Sequence, residues 1–93
     1  MPIRRATQRR VPDRRGPKPQ NLVAYIRLVD ALVQWRLEWG LRQSDLAKKL
    51  RRTQSFVTKY ETRKRRLDFV EVIAILDALE VDLDDAARLV RGR

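Results

Sequence analysis

Ninety-three residues with a net charge of +10, no cysteine and no histidine describe a single small domain with a thin core. The missing cysteine excludes disulfides and thiolate metal sites, and the missing histidine removes the commonest general base and metal ligand. No apolar run approaches the roughly 18 residues of a membrane span, and no apolar stretch follows the basic start as a secretory signal requires. The expected compartment is therefore the cytoplasm.

The charge is unevenly placed. Residues 1–20 are net +6, residues 21–41 balance, residues 42–66 are net +8, and residues 67–93 are net −4. A chain that needs only solubility has no reason to separate its charges in this way. A one-sided positive field steers a molecule toward a polyanion and orients it on arrival.

Residues 1–20 hold all four prolines and the pairs Arg4–Arg5, Arg9–Arg10 and Arg14–Arg15. Too few apolar residues are present to bury, so the segment is expected to be a disordered arm. It is either a solvated basic tail or an arm that follows a nucleic-acid backbone or enters a minor groove, with Arg9, Arg10, Arg14 and Arg15 as its contacts. The folded domain is then residues 21–93.

The first helix is expected from the N-cap Asn21 to Trp39, with Gly40 as its stop. Tyr25, Leu28, Val29, Leu32, Trp35 or Arg36, and Trp39 follow a helical period and face the core. Ile26, Val33 and Leu37 fall on another face. Either this helix is sunk deep in a small core, or it offers a second contact surface such as a dimer interface using one tryptophan.

A second helix spans Gln43 to Leu50 with Leu46, Ala47 and Leu50 inward. Arg51 and Arg52 make a turn. Thr53 caps a third helix that runs to about Thr62, with Phe56 (in part), Val57 and Tyr60 inward and Gln54, Ser55, Thr58 and Lys59 outward. Phe56 and Tyr60 are read as core, because recognition by stacking belongs to single strands. Glu61 is expected to pair with Arg36. Arg63, Lys64, Arg65 and Arg66 form a basic loop.

Asp68 with Glu71 has capping-box spacing for a fourth helix. Its stripe is Phe69, Val72, Ile73, Leu76 and Leu79. Asp82 with Asp85 repeats the spacing for a fifth helix over 83–91, which packs Leu83, Ala86, Ala87 and Val90 inward and ends at Gly92. The acids Asp77, Glu80, Asp82, Asp84 and Asp85 lack the alternating spacing and glycine of a calcium loop. They serve as caps and a solvated face. No strand pattern occurs, and the expected class is all-α.

From Leu41 to Leu83 the chain resembles the lambda-repressor/Cro-like helix-turn-helix family. The resemblance rests on Gln43, Leu46-Ala47 and Leu50 in the second helix and on Gln54-Ser55, Val57 and Tyr60-Glu61 in the third. It continues through the basic loop to Leu79-Glu80-Val81. It implies a five-helix domain that binds double-stranded DNA, usually as a homodimer, with the third helix in the major groove. By the same resemblance Gln54, Ser55, Thr58 and Lys59 contact bases. Gln43 touches a phosphate and buttresses Gln54. Arg42, Arg52, Arg63, Lys64, Arg65 and Arg66 meet the backbone, where they position the protein without specifying sequence. The family usually has Gly at the position of Arg51 and often at Arg63, and Ser or Thr at the position of Arg42.

The expected function is that of a small prokaryotic or phage transcriptional regulator, a repressor or autorepressor. Two alternatives stand beside it. One is an antitoxin-type adaptor that also binds a protein partner, and the other is an architectural nucleic-acid binder with little sequence preference. No catalytic residues, metal, cofactor or membrane contact are expected, since the chain lacks a phosphate-binding glycine loop and a spaced carboxylate pair.

Overall fold

The computed structural model describes residues 22–92. The arm of residues 1–20, with Arg9, Arg10, Arg14 and Arg15, and the expected cap Asn21 lie outside the described residues. Five helices follow in order: α1 (Val23–Glu38), α2 (Gln43–Leu50), α3 (Gln54–Glu61), α4 (Phe69–Leu79) and α5 (Leu83–Arg91). No strand occurs among the described residues. The all-α, five-helix expectation holds, and the bounds of α2 and α5 match those read from the sequence.

Helix α1 is the pillar of the fold. It packs against α3, α4 and α5, while α2 packs against α3 and α4. Val29 and Leu32 are fully buried, and Tyr25, Leu28 and Trp35 are half-buried. The core continues through Leu46, Ala47, Phe56, Val57, Tyr60, Leu67, Ile75, Leu76, Leu79 and Ala86. Phe56 and Tyr60 meet edge to face, with centroids 5.4 Å apart. Both are core residues, as their spacing indicates.

Three expected positions on the apolar faces are corrected. Leu83, expected to pack inward at the start of α5, is 42% exposed, because the first turn of that helix overhangs the edge of the small core. The helical period points Trp39 inward, but it is 53% exposed. Its indole Nε1 donates to the carbonyl of Leu79 at 2.6 Å, so it satisfies an orphan oxygen at the end of α4 while its ring stays half in solvent. Phe69 falls in the apolar stripe expected for α4, but it is 68% exposed, and Ile75 is fully buried in its stead. Helix α4 is apolar nearly all round, so the sequence period leaves its inward face ambiguous and packing decides it.

Four helices end in the same way. Gly40, Arg51, Arg63 and Glu80 all take left-handed backbone angles, with φ of 72°, 58°, 60° and 58°. In each case the next amide closes back by five residues: Leu41 onto Arg36, Arg52 onto Ala47, Lys64 onto Lys59 and Val81 onto Leu76, at 2.9–3.1 Å. This closure satisfies helix-end carbonyls that would otherwise lack partners. Only one of the four positions is glycine, so three side chains sit in a conformation that L-residues disfavour.

The N-terminal caps differ among themselves. Thr53 Oγ1 accepts from the Phe56 amide at 3.3 Å. Asp68 and Glu71 form the expected reciprocal box, with the Glu71 amide donating to Asp68 at 2.7 Å and the Asp68 amide to Glu71 at 3.0 Å. The same box was expected from Asp82 and Asp85, but Asp82 makes no side-chain cap. Asp85 instead pairs with Arg88 at 2.6 Å, one turn along the helix.

The buried pair of Arg36 and Glu61 ties α1 to α3. Arg36 Nε donates to Glu61 at 2.7 Å and Nη2 at 3.0 Å, while Nη1 donates to the carbonyl of Leu41 at 2.7 Å. Both side chains are more than nine-tenths covered. Removing one partner strands a buried charge. Arg36→Met should therefore lower stability by about 3 kcal/mol or more in urea titrations, and Arg36→Met with Glu61→Met should recover much of that loss. Arg51→Gly should raise stability by up to about 1 kcal/mol, because glycine takes the left-handed angle freely.

Candidate nucleic-acid interface

The segment from Gln43 to Glu61 is two eight-residue helices joined by Arg51, Arg52 and Thr53. The turn is tight because Arg51 reverses the chain at φ 58° and Thr53 at once caps α3. Alternation along α3 then sorts its side chains. Phe56, Val57 and Tyr60 go inward, while Gln54, Ser55, Thr58 and Lys59 are all exposed. Burial pushes the Tyr60 phenol well above its ordinary pKa, which keeps it neutral at any physiological pH.

The four outward residues come together on one face. With Thr62 and Lys64 they line a shallow concave patch of about 520 Å³. Arg63, Lys64 and Arg66 are exposed beside it and take no part in the ion pairs among the described residues. The basic loop is held on α3 by the amides of Lys64 and Arg65, both donating to the carbonyl of Lys59 at 2.9 and 3.2 Å. A second anchor comes from α1, where Tyr25 Oη accepts the Leu67 amide at 3.0 Å.

Other expected contact residues are engaged within the protein. Arg65 makes a two-pronged bond to Glu71, 2.8 Å on each side. Arg52 lies 3.9 Å above the Phe56 ring and 3.6 Å from Glu71. Arg65 also approaches the Phe56 ring, at 4.9 Å. Two guanidiniums thus share one carboxylate and one ring, a combination of ionic and cation–π attraction. Hydrogen bonding from Arg65, joined by the Asp68 amide and the two positive charges, draws the Glu71 carboxyl down to about 2. The sequence marked Glu71 only as a cap, and nothing in the local pattern marks it as a clamp for two arginines.

Arg42 is also paired. Its guanidinium and its backbone amide both donate to Asp45, the amide at 2.8 Å. Hydrogen bonding from Arg42 holds the Asp45 carboxyl below its ordinary range. Arg42 therefore does the work of a polar cap through the acid three residues on, and its side chain remains 81% exposed.

Gln43 differs from expectation. Its amide Nε2 donates to Glu61 at 2.8 Å, and its Oε1 accepts from Thr58 Oγ1 at 2.8 Å. Its hydrogen bonds go to Glu61 and Thr58, where Gln54 was the expected partner. A continuous chain of hydrogen bonds thus runs from buried Arg36 through Glu61 and Gln43 to Thr58 on the outward face.

A family model described as a helix-turn-helix domain matches residues 27–89. The chain belongs to the helix-turn-helix domain family. The match covers most of α1 and nearly all of α5, and it is consistent with the lambda-repressor/Cro-like resemblance. No curated protein sequence matches the chain. Membership in this family points to a DNA-binding regulator. No helix among the described residues is long and apolar enough to cross a membrane, and no cluster of metal-ligating side chains occurs among them.

The helix-turn-helix domain depends on Glu71 in a pH-dependent way. A carboxyl depressed in the folded state contributes stability that is present above its unfolded value and lost as pH falls through the folded one. Acid should therefore destabilise the domain progressively between about pH 4.5 and about pH 2. Glu71→Gln, which keeps an acceptor for the cap, should lower stability by about 1 kcal/mol near neutrality. It should also flatten this part of the melting temperature's pH dependence.

Proposed function

We propose that this chain binds double-stranded DNA sequence-specifically as a homodimer and acts as a small transcriptional regulator, a repressor by occlusion of promoter DNA. Helix α3 lies in the major groove. The observation that carries this reading is the single exposed face of Gln54, Ser55, Thr58 and Lys59 on the second helix of the helix-turn-helix unit, bordered by exposed Arg63, Lys64 and Arg66.

The roles separate by chemistry. Gln54 offers a donor and an acceptor on one planar amide, which matches the N6 and N7 edge of adenine. Lys59 donates to guanine acceptors or to a phosphate. Arg63, Lys64 and Arg66 supply salt-dependent affinity to the backbone, together with the basic arm. Arg52 and Arg65, engaged by Glu71, contribute by holding the loop in shape. Two domains related by a two-fold axis would set half-sites about one helical turn apart, ~34 Å.

A second reading is an adaptor that also docks a protein. It is favoured by the tryptophans of α1. Trp35 and Leu89 help line one open cleft, and Trp35 and Trp39 line the next. Exposed aromatic surface of this kind suits a protein interface.

Selection of bound sequences from a random duplex pool at about 150 mM salt, where screening suppresses purely electrostatic binding, separates these readings. An enriched palindrome is expected. Binding at low salt without enrichment would count against specific regulation. Gln54→Ala should cost about 1–3 kcal/mol at one base position and relax preference there. Deleting residues 1–19 should lower affinity and flatten its salt dependence with the preferred sequence unchanged.

A further inference from the structure

The hydrogen-bond chain from Arg36 to Thr58 has a direction, and that direction is imposed from the buried end. Arg36 is a donor only, and the Glu61 carboxylate is an acceptor only. Glu61 Oε1 lies 2.8 Å from one terminal atom of the Gln43 amide. That atom must be the NH₂ group, since the amide oxygen would be repelled by the carboxylate. The amide oxygen then faces Thr58 Oγ1 at 2.8 Å. An oxygen that carries no proton can only accept, so Thr58 must donate. A threonine hydroxyl has one proton, and this one is committed to Gln43.

We infer that Thr58 is a specificity-determining residue that presents to DNA a fixed hydrogen-bond acceptor and selects an amino base, adenine or cytosine, on the strand it faces. The inference rests on the reading of α3 as the helix that enters the major groove. Hydroxyls ordinarily read either kind of base edge, because the proton rotates to suit. Here rotation would break the bond to Gln43, whose amide is held in its orientation by Glu61 of the buried ion pair. The lone pairs of Thr58 remain available, and they match the N6 amino group of adenine or the N4 amino group of cytosine. The O6 of guanine and the O4 of thymine would meet oxygen with oxygen.

This polarity separates Thr58 from its neighbours. Gln54 and Lys59 show no side-chain hydrogen bond among the described residues, so each can adjust to the base it meets. Thr58 is braced through Gln43 and Glu61 to Arg36 in α1, and Gln43 becomes a positioning residue that acts through it.

The test compares selected sequences for the full-length protein and three variants in the same random duplex pool. The unmodified protein should prefer adenine or cytosine over guanine and thymine by about fivefold at one position of each half-site, the discrimination that one net hydrogen bond supports. Thr58→Val, which keeps the shape and removes the hydroxyl, should erase that preference at that position alone. Thr58→Ser should retain it. Gln43→Leu frees the hydroxyl proton and should admit guanine and thymine at the same position, whatever it does to overall affinity. A Thr58→Val profile identical to that of the unmodified protein would overturn the inference, and so would guanine or thymine as the base lost in that variant. Either result would leave sequence-specific binding intact. Failure of the unmodified protein to enrich any sequence would instead defeat the function proposed above, and this inference with it.

Discussion

A guanidinium and a carboxylate buried together between α1 and α3 set the terms for the whole domain. Neither charge is tolerable there without the other, so the two helices are held at one separation and one rotation. The remaining donor of Arg36 goes to the carbonyl of Leu41, which fixes the connection into α2. The free side of Glu61 accepts from Gln43, which fixes α2 against α3. One ion pair therefore organises three helices, and the small apolar core fills the space they enclose.

The same economy governs the surface cations. Residues 42–66 carry ten basic side chains against two acids, and a simple sum would treat all ten as ligands for phosphate. The contacts divide them. Arg52 and Arg65 share Glu71 and the Phe56 ring, and Arg42 shares Asp45. Arg63, Lys64 and Arg66 remain exposed beside the outward face of α3. The engaged arginines give the loop its shape, and the exposed residues give it its field. Glu71 is decisive in this division because it also belongs to the cap of α4, so the start of that helix and the shape of the loop are set by one carboxylate.

Much of this architecture was legible in the sequence. Helix α3 announces itself by period and cap and α2 by period alone, and the pairing of Glu61 with Arg36 follows from an acid set in a strongly basic segment. Legibility fails where the signal is not local. Helix α4 is apolar on nearly every side, so Phe69 and Ile75 could not be ranked until packing chose between them. Trp39 reads as core by spacing, but its indole nitrogen needs an acceptor, and the acceptor lies at the end of another helix. Gln43 and Thr58 are separated by the length of α2, a loop and the first turn of α3, and no spacing rule joins them. The arginine clamp at Glu71 escaped for the same reason, since Arg52, Arg65 and Glu71 meet only once three elements are in place.

The bracing of the outward face also shapes what descent can do with it. Gln54, Ser55 and Lys59 project from α3 with no side-chain hydrogen bond to the interior among the described residues, so on the proposed reading of α3 exchanging any of them alters what is read and leaves the scaffold untouched. Thr58 is joined to the buried pair, and a replacement there reaches back through Gln43 to Glu61. On that reading, lineages arising from this sequence can explore new binding sites cheaply at three positions. At the fourth, novelty requires Gln43 to change in step, so the repertoire open to this domain branches along the three untethered side chains first.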